Sequence, residues 1–243
     1  MRALGFVCGV DLGTRQDHSA IVLVEKMTPA APEAESADTW PSPYRVPTSE
    51  THFRVRELGR LPLATSYTTA ARSIADVIHN LNVYDPDHPP RLFLDTTGVG
   101  APVVDALEQF LPTGVKAIRV LWTAGERLRR VNGEYHVGKA WLVSRLQALI
   151  DVGRISVPDT EQAHQWLDEL MSFEIQITDH GSVIAGARSG QHDDLVMSLA
   201  LTILEDSSAG PAYRPGLPFN ADRPLPNSGD DWQDLHSAPS TSW

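Results

Sequence analysis

Apolar positions recur along the chain in two rhythms. "FVCGVDLG" and "SAIVLVEK" are runs rich in β-branched residues, joined by the turn-like "TRQDH", and they predict two strands. "HFRVRELGRLPL" is a third strand candidate. The rhythm then changes. In "YTTAARSIADVIHNL" (67–81) Ala71, Ile74, Ala75, Ile78 and Leu81 fall at helical spacing. "RLFLD" predicts a short buried strand, and "GAPVVDALEQFL" a helix with Pro102 near its first turn. "VKAIRVLW" predicts a further strand, and "KAWLVSRLQALIDVG" and "EQAHQWLDELMSF" two helices. "FEIQIT" and "SVIAGA" fit a hairpin, and a last helix is expected over 192–205. Three strands followed by alternating helix and strand predict an α/β fold, a mixed sheet flanked by helices.

Two stretches break both rhythms. "MTPAAPEAESADTWPSPYRVPTSE" (27–50) is rich in Pro, Ala, Ser and acid, and predicts a flexible insertion. From Ser207 to Trp243 the chain is acidic, rich in Pro and Ser and without apolar period, which predicts a disordered tail. The structured domain is therefore expected over 1–206. No internal repeat is present.

At 243 residues with 42% hydrophobic content the chain can bury a sizeable core. No run approaches the ~20 apolar residues of a membrane span, and "MRALGFVCGVDLG" is not a secretion signal. The lone Cys8 excludes internal disulfides and a multi-cysteine zinc site, and it fits a reducing cytoplasm. A net charge of −11 argues against a simple basic nucleic-acid binder. Much of that charge sits in the irregular stretches. Residues 27–50 hold Glu33, Glu35, Asp38 and Glu50 against Arg45, and residues 205–243 hold six acids against Arg214 and Arg223. The remaining excess is small enough for bound divalent ions to offset, so a polyanionic substrate stays compatible.

Three acidic sites fall at element ends. Asp11 closes the first strand in "GVDLGT", Asp95 closes the fourth in "LFLDTTGVG", and Asp193 with Asp194 opens the last helix in "GQHDDLVMSLALTI". Ligands collect at the carboxyl ends of strands in open α/β sheets, and Asp11 and Asp95 become neighbours if their strands pair. Each has a plain structural role too: a strand-to-turn hydrogen bond for Asp11, a helix cap for Asp95, and a cap plus dipole partner for the Asp193–Asp194 pair. Close carboxylates repel, however, and a metal is the simplest compensation. Oxygen ligands with open positions suit Mg²⁺ or Mn²⁺. Two such ions about 3.5–4 Å apart would clamp a scissile phosphate. Within the pair, Asp193 is expected to cap the helix and Asp194 to act as ligand.

"GVDLGTRQDHSAIVLVE", "LFLDTTGVGAPVVDAL" and "GQHDDLVMSLALTIL", in this order, resemble the nuclease domain of phage terminase large subunits, and "VGKAWLVSRLQALIDVGRISVP" resembles the family's segment before the final motif. The resemblance spans roughly residues 5–205. It implies a ribonuclease-H-like fold and a Mg²⁺- or Mn²⁺-dependent endonuclease that cuts concatemeric phage DNA during packaging. It implies catalysis by Asp11, Asp95 and Asp194, with two metal ions held by Asp11, Asp95 and Asp194 and with Asp193 as an accessory or alternative ligand. Asp17 fits an acidic position that follows the first motif. Asp11 would bridge the ions, and cleavage would leave a 5′-phosphate and a 3′-hydroxyl. The implied partners are double-stranded DNA, a packaging ATPase and a portal protein, in the host cytoplasm of an infected or lysogenic bacterium. Full-length terminases also carry an N-terminal ATPase motor, whereas Met1 lies ten residues before Asp11. The chain is therefore expected to be an excised domain or a separately encoded nuclease.

"GEYHVGKA" nearly spells a GxxxxGK[ST] phosphate loop, but Ala140 lacks the hydroxyl that Mg²⁺ requires. Arg127, Arg129, Arg130 and Lys139 instead form a local basic patch suited to DNA phosphates. Two alternatives compete with the nuclease reading. "GVDLGT" also resembles the first phosphate motif of the actin and Hsp70-type ATPases, which need two such domains around ATP. The other alternative is a catalytically inactive DNA-binding module of the packaging machinery. His18, His136 and His192 lie near the motifs; Trp122, Trp141 and Trp166 are expected in packing, and Trp232 and Trp243 as anchors for a partner.

Overall fold

The computed structural model describes residues 1–13, 17–29, 51–98, 101–123, 128–177, 183–187, 192–204 and 206. The expected tail, most of the expected insertion (30–50) and Arg127 lie outside the described residues, as do Trp232 and Trp243. Met27 and Thr28 belong to a strand, where Met27 is buried.

Three antiparallel strands come first: β1 (Arg2–Asp11), β2 (Ala20–Thr28) and β3 (His52–Arg60). Helix α1 (Tyr67–Tyr84) leads to β4 (Arg91–Asp95), and α2 (Ala101–Glu108) to β5 (Ala117–Thr123). A short hairpin of β6 (Arg129–Val131) and β7 (Glu134–Gly138) runs directly into α3 (Lys139–Asp151). Then come β8 (Ile155–Ser156), α4 (Glu161–Ser172), the hairpin β9 (Phe173–Ile177) with β10 (Val183–Ala187), and α5 (Asp194–Thr202). Eight strands form one mixed sheet in the order β6-β7-β5-β4-β1-β2-β3-β8, and β9 and β10 pair separately. This is the expected mixed α/β sheet flanked by helices.

Period-two alternation divides the core between the two faces of the sheet. Val7 and Phe93 join α3, α4 and α5 in one cluster, whereas Cys8, Val10, Leu92 and Leu94 join α1 and α2 in the other. Ser66 starts α1 by accepting from the Thr69 N–H at 3.2 Å, and Thr160 does the same for α4 with Ala163. Helix α5 has no solvent face: every residue from Asp194 to Thr202 is buried. An all-round apolar helix must sit inside the domain, and this one lies between the sheet and α3 and α4.

Two elements depart from the pattern reading. Arg129 and Arg130 of the expected basic patch lie in the β6–β7 hairpin, turned by Asn132 and Gly133 at φ 52° and 88°. Asn-Gly is the preferred pair for such a turn. With Glu134–Gly138 extended and Lys139 opening α3, no loop is left to wrap a phosphate. The second is β8, two residues that extend the sheet beside β3.

Candidate metal centre

The sheet brings the first two carboxylates together. β1 and β4 pair in parallel with Val10 opposite Leu94, so Asp11 and Asp95 follow at adjacent carboxyl ends. Helix α5 supplies the other two through a close approach to β1. A Cβ on Gly9 would overlap the Ser198 carbonyl, so glycine at that position lets the helix backbone touch the strand. Ser198 then ties three elements: its Oγ accepts from the Asp11 N–H at 3.1 Å and donates to the Ala20 carbonyl at 3.1 Å. One turn upstream on α5 stand Asp193 and Asp194.

Each carboxylate has a distinct environment. Asp11 is pushed well above the ordinary carboxylate range, first by burial and then by Asp95; Asp193 and Asp194 add to the rise and Lys139 opposes it. Among the described residues no donor meets its carboxylate. Burial also raises Asp95, against hydrogen bonds from Thr97 and Trp122 and the charge of Lys139. The Thr97 N–H donates to Asp95 Oδ1 at 2.8 Å and the Trp122 indole N–H to Oδ2 at 2.6 Å. Asp193 Oδ2 lies 3.4 Å from Lys139 Nζ. Asp194, 5% exposed, is gripped by Arg60, whose Nε donates to Oδ2 at 2.6 Å.

The division of labour within the Asp193–Asp194 pair is not the expected one. Asp193 occupies the N-cap position of α5 but its side chain caps nothing. The first-turn N–H groups of Leu195 and Val196, which have no partner within the helix, donate instead to Glu169 Oε2 of α4, at 3.0 and 3.1 Å. Glu169 in turn pairs with Arg60. The cap comes from a helix that precedes α5 by more than twenty residues, which leaves both aspartates available to the site.

This set fits a hard divalent cation. Asp95, Asp193 and Asp194 stand near enough to Asp11 to raise it, and Lys139 and Arg60 supply the opposing charge. Oxygen donors in excess of neighbouring cations are what Mg²⁺ or Mn²⁺ requires. Among the described residues, no three His, Cys, Asp or Glu side chains already surround a common point. Trp122, Lys139 and Arg60 hold three of the carboxylates, so a cation would have to displace these partners.

Other expected residues scatter. Lys139 stands with the acids, its Nζ also 5.9 Å from the Trp122 ring centre. Arg129 and Arg130 are exposed on the edge strand β6. Asp17 is exposed. His18 Nδ1 bonds the Leu61 carbonyl at 3.0 Å, and its ring meets that of His192 edge-on at 5.8 Å. His136 is half-buried in β7. Trp166 is core, Trp141 and Trp122 both pack against the same cluster, and the Trp122 indole N–H also donates to Asp95. Trp122, Arg60 and Glu169 escape sequence reasoning. Each follows an ordinary strand or helix pattern, and its role depends on which element packs beside it.

No family model matches the chain. The terminase large subunits of Thermus phage G20c and Thermus virus P23-45 are each 32% identical to it over 111 residues, 44% of this chain. That is 19% of either relative, so the chain spans only a small part of their length. The crystal structure of the large terminase nuclease from phage G20c superposes with a TM-score of 0.56 at 20% identity, covering 83% of this chain and 82% of that one. A second structure of that nuclease, with bound magnesium, gives 0.52 at 22% identity, covering 82% and 79%. The chain is homologous to phage terminase large subunits over the matched stretch and has the ribonuclease-H-like fold of their nuclease domains.

Proposed function

We propose that the protein is a divalent-metal-dependent DNA endonuclease that cuts concatemeric phage DNA during genome packaging. The observation that carries this reading is the convergence of Asp11, Asp95, Asp193 and Asp194 on one end of a sheet with the terminase nuclease fold. Mg²⁺ or Mn²⁺, as two ions, would be held by Asp11, Asp95 and Asp194, with Asp193 as accessory ligand. When bound, such ions lower the pKa of water and neutralise charge developing on a phosphodiester.

The chain's own residues do the rest. Asp11 sits centrally, its backbone fixed by Ser198 and its carboxylate unencumbered. Trp122 and Thr97 fix both oxygens of Asp95. Lys139 provides a cation at the edge of the cluster, able to meet a phosphate. Arg129 and Arg130 are exposed on a sheet edge, where they can follow a DNA backbone. Beyond DNA, the reading includes a packaging ATPase and a portal protein as partners and the host cytoplasm as the place of action. No described helix is long and apolar enough to cross a membrane.

Supercoiled plasmid incubated with Mn²⁺ or Mg²⁺ tests the proposal. The wild type should convert it to nicked and linear forms bearing 5′-phosphates. Asp11→Asn should lose at least about a hundredfold in rate, several kcal/mol of transition-state stabilisation. Equal cutting by both proteins would remove Asp11 from the site.

A further inference from the structure

Arg60 ends β3 and faces α4 and α5 at once. Its Nε and a terminal nitrogen address both oxygens of Asp194, at 2.6 and 3.5 Å. The same guanidinium pairs with Glu169 and donates to Gln165 Oε1 at 3.0 Å. It therefore has acceptors on two helices, one set belonging to the acidic cluster and one standing outside it. A guanidinium N–H and a metal ion compete for the same carboxylate lone pairs, and the two cations repel each other. Releasing Asp194 would not leave Arg60 unpaired, because Glu169 and Gln165 still receive it.

We propose that Arg60 is a positioning residue that holds Asp194 until a divalent cation takes its place, with Glu169 and Gln165 as the acceptors to which the guanidinium retires. This rests on the metal reading above and adds to it the residue that sets the affinity of the Asp194 side. Glu169 then has two tasks: it caps α5, keeping Asp194 in place, and it draws Arg60 away.

The two arms of the latch predict opposite effects. Removing Arg60 takes away the competitor, so Arg60→Gln should bind Mn²⁺ more tightly, by about tenfold if the coupling is of ordinary size. Glu169→Gln keeps an oxygen for the Leu195 and Val196 N–H groups but weakens the alternative acceptor, so it should bind Mn²⁺ several-fold more weakly. Arg60→Lys retains charge without the fork and should fall between wild type and Arg60→Gln. Calorimetric titration of the full chain with Mn²⁺ reads all of these, and thermal unfolding with and without Mn²⁺ repeats the ranking. A purely structural Arg60 would give unchanged or weaker binding in Arg60→Gln, and that outcome overturns the latch. Glu169→Gln binding as tightly as wild type overturns it equally. No Mn²⁺ binding by the wild type, or undiminished binding by Asp11→Asn, would overturn the metal reading itself.

Discussion

Asp11 has an acid's worst surroundings: burial, three like charges and no hydrogen-bond donor among the described residues. Its pKa is raised in the fold, so the folded protein binds a proton more tightly there than the unfolded chain does. Stability without metal should then fall as pH rises from the ordinary carboxylate range through the raised pKa of the Asp11–Asp95 pair. Asp11→Asn removes the charge and keeps the shape. It should flatten that slope and melt higher than wild type at neutral pH in a chelator. Melting curves across pH in EDTA check this, and an Asn variant with an unchanged slope would place the destabilisation elsewhere. Binding sites commonly carry such a cost. A divalent ion would reverse it, since the ionised form is the one that binds metal.

At the scale of elements, α5 is the part on which the site depends. Its apolar run was plain in "LVMSLALTI", and so was the placing of two aspartates at its mouth. The strand ends at Asp11 and Asp95 could also be read from "GVDLG" and "LFLD", because β-rich runs stop at turn residues. What could not be read was the neighbour of each element. Glu169 looks like an ordinary helical acid until α4 is laid against the start of α5, where it becomes the cap that Asp193 was expected to be. Arg60 and Trp122 are the same kind of case, defined by contacts across more than twenty residues of sequence. The Asn132–Gly133 turn was different: its signal is local, and the resemblance of the following residues to a phosphate loop obscured it. Gly9 offers a test of the α5 contact. Gly9→Ala should push α5 from β1 and cost about 1–3 kcal/mol or more by overpacking, read as a lower denaturation midpoint, with weaker Mn²⁺ binding in the fraction still folded. Wild-type stability in this variant would mean that α5 does not rest on the strand at Gly9.

Across the whole molecule the two ends of the sheet have different duties. Asp11, Asp95, Arg60 and Lys139 gather at one end. At the other, Arg154 donates to the Thr51 carbonyl at 2.7 Å and to Asp206 Oδ2 at 3.2 Å, and Arg145 also donates to the Asp206 carbonyl. That buried clasp ties Thr51, just before β3, to Asp206, four residues beyond the end of α5. The acidic total of the sequence is no guide to the site, where Arg60 and Lys139 pair with Asp194 and Asp193, and Arg129 and Arg130 are exposed on the sheet edge. The central claim is that this cluster is a metal centre. Crystals soaked in Mn²⁺ and measured at the manganese absorption edge test it directly. Anomalous peaks should lie between Asp11, Asp95 and Asp194, with Arg60 turned from Asp194 toward Glu169. Peaks confined to other surface acids, with the Arg60–Asp194 pair intact, would contradict it.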